Sequence, residues 1–150
     1  MSADFRHTDL YRRTVLDHSR HPRHFHRMAE ASSQSTGHNQ LCGDKVTIYV
    51  RLSDDTVSDV SFEGAGCAIS IASASMLTDM VRNQSTSEVR RMIESVCNSF
   101  EGRSDDLPDN VELAALVGVR QYPSRIRCAT LPWQALKAAI GKANRMVTRE

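Results

Sequence analysis

The stretch KVTIYVRLSDDTVSDVSFEGAGCAISIASASMLTDMVRN, residues 45–83, decides the fold class because its hydrophobic period changes partway along. From Lys45 to Leu52 apolar residues alternate, with Val46, Ile48, Val50 and Leu52 on one face, as in a half-buried strand. Asp54 and Asp55 supply a turn, and Val57 to Phe62 follows as the second strand of a hairpin. Gly64-Ala65-Gly66 then breaks the sheet, and AISIASASMLTDMVRN opens as a helix. Its serines and alanines would let another backbone come close.

Outward from this segment, residues 8–20 read as a helix with Leu10, Tyr11, Val15 and Leu16 on one face and Pro22 as the stop. His21 to Gln40 is polar and poorly periodic, so it reads as loop with at most a weak edge strand. Toward the C-terminus, Ser85 and Glu88 form a capping-box pattern. The helix it starts carries Val89, Met92, Ile93, Val96 and Phe100 on one face. A short helix is expected over Asp109 to Val117 and a turn at Tyr122-Pro123. A last helix is expected from Thr130 as cap, with Pro132 in its first turn. The order predicts an α+β fold: a small antiparallel sheet of about three strands, with about five helices packed mainly on one face. Residues 1–150 are read as one domain.

At 150 residues with 40% hydrophobic and 25% charged side chains, the chain has the composition of a folded globular protein rather than a disordered one. A net charge of +1 argues against a nucleic-acid partner or a membrane-surface field. No apolar run approaches the roughly 20 residues that span a bilayer. The first residues, MSADFRHTDLYRR, lack the apolar core of a signal peptide, and Asp4, Asp9 and Asp17 fit a transit peptide poorly. A cytoplasmic location is expected.

Cysteines stand at 42, 67, 97 and 128. A disulfide framework belongs to small exported chains, so ligands, nucleophiles or buried hydrophobes are the competing readings. Cys97 falls on an apolar helix face and reads as a small hydrophobe. The other three sit at breaks in structure: Cys42 ahead of Gly43-Asp44, Cys67 at a helix start, and Cys128 just before the last helix. A helix N-terminus favours thiolate over thiol, the species that binds metal or attacks sulfur. The gaps, 42 to 67 and 67 to 128, are not those of a zinc finger, so spacing alone leaves three unrelated cysteines open. Asp44 strengthens the metal reading, because residues two apart at a strand start share a face. Cys42, Asp44, Cys67 and Cys128 make a Cys₃Asp set suited to tetrahedral Zn²⁺, and Arg125 and Arg127 would offset its net negative charge.

Four blocks carry a family resemblance: LYRRTVLDH (10–18), CGD (42–44), FEGAGCAISIASASM (62–76) and YPSRIRCATLPWQAL (122–136). In this order, across nearly the whole chain, they resemble the SufU branch of the IscU/NifU-N iron–sulfur assembly proteins. The resemblance implies that the three cysteines and Asp44 cluster at one end of an IscU/SufU-like fold. It also implies a pyridoxal-phosphate-dependent cysteine desulfurase of SufS type as partner, with downstream iron–sulfur assembly proteins beyond it. IscU-type scaffolds carry His immediately before the third cysteine, where this chain has Arg127, and Arg82 to Gly118 resembles the insertion of the SufU branch. His38-Asn39-Gln40-Leu41 departs from the Asn-Pro that usually precedes the first cysteine.

The function so implied is a zinc-dependent sulfurtransferase in iron–sulfur cluster biogenesis. Cys42 is the sulfur acceptor, freed when a desulfurase histidine takes its place on zinc, and Arg125 serves docking or charge balance. A scaffold that assembles a [2Fe–2S] cluster on the same residues is the alternative, since thiolates also suit iron. A structural zinc site is a third reading. His18, His21, His24 and His26 lie among six arginines between Arg6 and Arg27. Weighed against a second metal site or an anion or RNA patch, they read as solvated surface, except His18, which matches the family and is expected to support structure.

Overall fold

In a computed structural model, which describes residues 2–41 and 43–148 and side chains between Asp9 and Ala143, the chain forms a three-stranded antiparallel sheet and five α-helices. Strands β2 (Asp44–Ser53) and β3 (Thr56–Ala65) form the hairpin read from the alternation, with Asp54 at φ +56° in its turn. Val46, Ile48, Val50, Val60 and Phe62 are fully buried. A bulge between Arg51 and Leu52 shifts the register so that Val57 also faces the core.

The segment read as loop or weak edge strand holds β1 (Ser33–Asn39), which pairs along its length with β2 to give the order β1-β2-β3. Its sequence, SQSTGHN, carries no apolar alternation because its core-facing positions are small. Helix α5 (Ile126–Thr148) lies across it, and a Cβ on Gly37 would stand 2.9 Å from Leu131 Cδ1. Close helix approach selects Ser35 and Gly37 here, and the ladder of β2 supplies the strand that propensity does not.

Helix α2 (Ala68–Val81) runs between α1 (Ser2–Arg20) and α5, and it is buried from Ala72 to Thr78. Its hydroxyls bond its neighbours' backbones: Ser73 donates to the Ala129 carbonyl at 2.6 Å, and Ser75 accepts the Arg23 N–H at 2.9 Å. Helix α3 (Thr86–Phe100) starts as its capping box predicts, with Ser85 Oγ accepting the Glu88 N–H at 3.1 Å. Helix α4 (Val111–Leu116) is capped by Asn110, and 3₁₀ turns at Val117–Gln121 and Pro123–Arg125 lead into α5.

The start of α5 corrects the sequence reading. The helix begins at Ile126, so Thr130 is not its cap, and Cys128 lies inside the first turn rather than before it. Pro132 has no N–H for the Cys128 carbonyl four residues back, and this ordinarily argues against a helix interior. The Ser70 hydroxyl oxygen stands 3.1 Å from that carbonyl, and the helix continues through the proline. Among the described residues no helix is long and apolar enough to cross a membrane.

Candidate metal centre

Two helix N-termini and the first residue of a strand meet at one end of the fold. Cys67 is the N-cap of α2, in extended conformation at φ −74° and ψ 160°. Cys128 is fully buried in the first turn of α5, so both sulfurs lie at positive ends of helix dipoles. Asp44 opens β2 beside the end of β3 and is also fully buried. Its Oδ1 accepts the Cys67 N–H at 2.7 Å, and its Oδ2 accepts the Ser70 hydroxyl at 2.6 Å. Cys67 Sγ is 3.4 Å from Oδ2.

A carboxylate oxygen of Asp44 and the sulfurs of Cys67 and Cys128 all lie within 4.8 Å of one another. Tetrahedral zinc, with bonds of about 2.0–2.3 Å, holds its ligand atoms somewhat under 4 Å apart, so this set needs to close by no more than about an ångström. One carboxylate oxygen and two sulfurs are also donor types that zinc takes. Three of the four ligands expected from the sequence are therefore brought together. The fourth, Cys42, lies outside the described residues.

Sequence reasoning missed Ser70, although the signal was present. A residue three positions after Cys67 on a helix shares its face, and the Ser70 hydroxyl is fully buried at the centre of the cluster. Gly66 is the other residue the site requires. Its φ is +148°, and a Cβ there would stand 2.2 Å from Asp44 Oδ1 and 2.8 Å from Asp44 Cα. The Gly66→Ala protein is therefore expected to lose about 1–3 kcal/mol of stability from backbone strain alone and to bind zinc more weakly. Urea unfolding of the metal-free protein and chelator competition check this, and wild-type values in both would refute it.

Arg125 and Arg127 are both exposed and serve different surfaces. Arg125 lines a groove of about 310 Å³ beside Cys67, with Arg12, Leu16, Ile69 and Tyr122. Among the described residues that line it none is acidic. Tyr11 forms part of its wall, stacked on Tyr122 at 5.7 Å, and burial, then Tyr122 and Cys67, push the phenol up to about 12, so it stays uncharged. Arg127 lines a second groove, of about 560 Å³, with His38, Glu101 and Leu41, whose side chain is 84% exposed.

The histidines do not converge. His18 is buried, its Nδ1 2.7 Å from Ser75 Oγ and its Nε2 2.6 Å from Glu112, so it ties α1 to α2 and α4. Asp17, beside it, could join His18 and Glu112 as donors but is already paired with Arg23 at 2.8 Å. His24 lies between Asp79 and Arg82, whereas His21 and His26 are exposed. Cys97 packs against the core from α3, and burial pushes its thiol up to about 12, which makes it a poor nucleophile.

A family model described as NifU-like N terminal domain matches residues 10–149. The zinc-dependent sulfurtransferase SufU of Bacillus subtilis is 37% identical over 134 residues, covering 89% of this chain and 90% of that protein. The iron-sulfur cluster assembly scaffold protein IscU of Streptococcus pyogenes is 36% identical over 135 residues, covering 89% and 84%. Among solved structures, a putative iron-sulfur cluster assembly scaffold protein for the SUF system from Fervidobacterium islandicum superposes with a TM-score of 0.78 at 30% identity, covering 85% of this chain and 93% of that one. The N-terminal part of a NifU-like protein from Brucella abortus shares the fold, with a TM-score of 0.83 at 24% identity over 91% and 96% of the two chains.

Proposed function

The chain belongs to the NifU-like N-terminal domain family, and from that premise we propose that it is a zinc-dependent sulfur acceptor in iron–sulfur cluster assembly, taking persulfide sulfur from a cysteine desulfurase. The observation that carries the reading is the convergence of the Asp44 carboxylate with the Cys67 and Cys128 sulfurs within 4.8 Å. With Cys42 these residues would hold Zn²⁺, which keeps bound thiols deprotonated and brings no redox chemistry of its own. The B. subtilis relative named a zinc-dependent sulfurtransferase supports this choice, as does Arg127 at the position where IscU-type scaffolds place histidine. A guanidinium stays protonated and cannot ligate.

In the transfer, the Cys42 thiolate attacks the terminal sulfur of the donor's persulfide. A new S–S bond forms on Cys42, the donor's S–S bond breaks, and its electron pair leaves on the donor's thiolate. Sulfur changes hands without an external oxidant. The arginine-flanked groove beside Cys67 suits a partner that approaches with negative charge. Arg125 is assigned to docking and Arg127 to charge balance around three thiolates and a carboxylate.

The test incubates the zinc-loaded protein with cysteine and a pyridoxal-phosphate-dependent cysteine desulfurase, without reductant, and maps persulfide by mass spectrometry. Persulfide on Cys42, with faster desulfurase turnover, is expected from the zinc-loaded protein and from neither when zinc is stripped. No zinc-dependent transfer, together with a [2Fe–2S] cluster that forms on adding iron and passes to an apo-acceptor, would make the chain a scaffold, as the S. pyogenes relative is named.

A further inference from the structure

We propose that Ser70 is a positioning residue that pins Asp44 into the ligand set, so that a thiolate, not the carboxylate, leaves when a ligand is exchanged. The inference rests on the metal-site reading above and addresses which of its ligands can move.

Asp44 is fully buried and has each carboxylate oxygen engaged. The Cys67 N–H donates to Oδ1 at 2.7 Å and the Ser70 hydroxyl to Oδ2 at 2.6 Å. Hydrogen bonds to an ionised carboxylate are the strong class, and two of them from different groups fix both its position and its plane. The space around it is also closed on one side, because a Cβ on Gly66 would stand 2.2 Å from Oδ1. Both donors belong to the start of α2: the amide is that of its N-cap, and Ser70 sits one turn into the helix with no exposed surface.

Ser70 also touches each of the described ligand residues. Its oxygen is 3.7 Å from Cys67 Sγ and 3.1 Å from the Cys128 carbonyl, which Pro132 leaves without its usual helical donor. The hydroxyl has one proton, and its shortest contact is the carboxylate. Of the described thiols, Cys128 is fully buried within α5, and Cys67 has its own N–H tied to Asp44. Cys42 is then the ligand expected to exchange.

The experiment uses the full chain loaded with Co²⁺ and titrated with imidazole as the incoming ligand. Thiolate-to-cobalt charge-transfer absorption follows the number of bound thiolates. The wild-type protein is expected to lose about one third of that intensity, one thiolate in three, and to become alkylated by iodoacetamide at Cys42. The Ser70→Ala protein should keep its full intensity and protect Cys42, because imidazole takes the place of the loosened carboxylate. Ser70→Thr, which retains the hydroxyl, should behave as wild type. Zinc affinity by chelator competition is a second readout. Ser70→Ala is expected to bind about 10–100-fold more weakly, with the metal-free circular dichroism unchanged.

The proposal is overturned if Ser70→Ala loses the same third of its intensity as wild type, or if its zinc affinity stays within twofold. A wild-type protein that keeps all its thiolates under imidazole also overturns it, and leaves zinc-dependent sulfur transfer standing. Intact thiolate exchange with no persulfide on Cys42 would instead remove the proposed function and leave the role of Ser70 in place.

Discussion

The Cys42→Ala protein is expected to accept no sulfur, its persulfide signal falling to that of a reaction without acceptor. A group-transfer step that loses its only nucleophile has no partial activity to retain, unlike one that loses a positioning group. The other thiols compete poorly. Cys128 is fully buried, and Cys97 is held protonated by burial far above neutral pH. Cys67 is the one rival, since it is half-buried and borders the groove with Arg12 and Arg125. The Cys42→Ala variant therefore separates two mechanisms. Asp44, Cys67 and Cys128 remain to hold metal, so the variant should bind zinc more weakly and stay folded. Persulfide on Cys67 in the variant at the wild-type rate would sink the assignment of Cys42 and make Cys67 the acceptor.

Apolar alternation made β2 and β3 legible in the sequence, and the capping box located α3, because in both cases local pattern and tertiary packing ask for the same residues. β1 was harder to read. Its core face needs Ser35 and Gly37 so that α5 can approach, and small residues carry no hydrophobic period. The start of α5 was misplaced for a related reason. A proline at 132 reads locally as a first-turn residue, yet the helix already starts at Ile126, and the carbonyl four residues before the proline lies within reach of a serine 58 positions away. No local rule contains that contact. The same holds for the site: residue types and the C-x-D spacing nominated Asp44, Cys67 and Cys128. Helical spacing puts Ser70 on the face of Cys67, but it takes the fold to bring Asp44 between that hydroxyl and the Cys67 amide.

Trp133→Ala is expected to have the largest effect on stability. The ring is fully buried between α5 and α2, and its Nε1–H donates to Ser73 Oγ at 3.1 Å. Ser73 in turn donates a hydrogen bond to the Ala129 carbonyl at 2.6 Å. Truncating a buried tryptophan costs about 3–5 kcal/mol, a large share of the roughly 5–15 kcal/mol that keeps a domain folded. In a chain of this size the midpoint of thermal unfolding should fall by on the order of 10 °C. The loss also reaches the metal centre. Ser73 is three residues beyond Ser70 on α2, and Ala129 follows Cys128 on α5, so the ring and its hydrogen bonds set how the two helix starts face each other. Zinc affinity should therefore fall with stability, although Trp133 touches no ligand. Trp133→Phe keeps most of the buried ring and loses the N–H, so about 1 kcal/mol is expected. Circular dichroism melts of the metal-free proteins and chelator competition measure both effects. If Trp133→Ala melts at the wild-type temperature, or loses stability with zinc affinity unchanged, the α2–α5 contact does not hold the two cysteines in register.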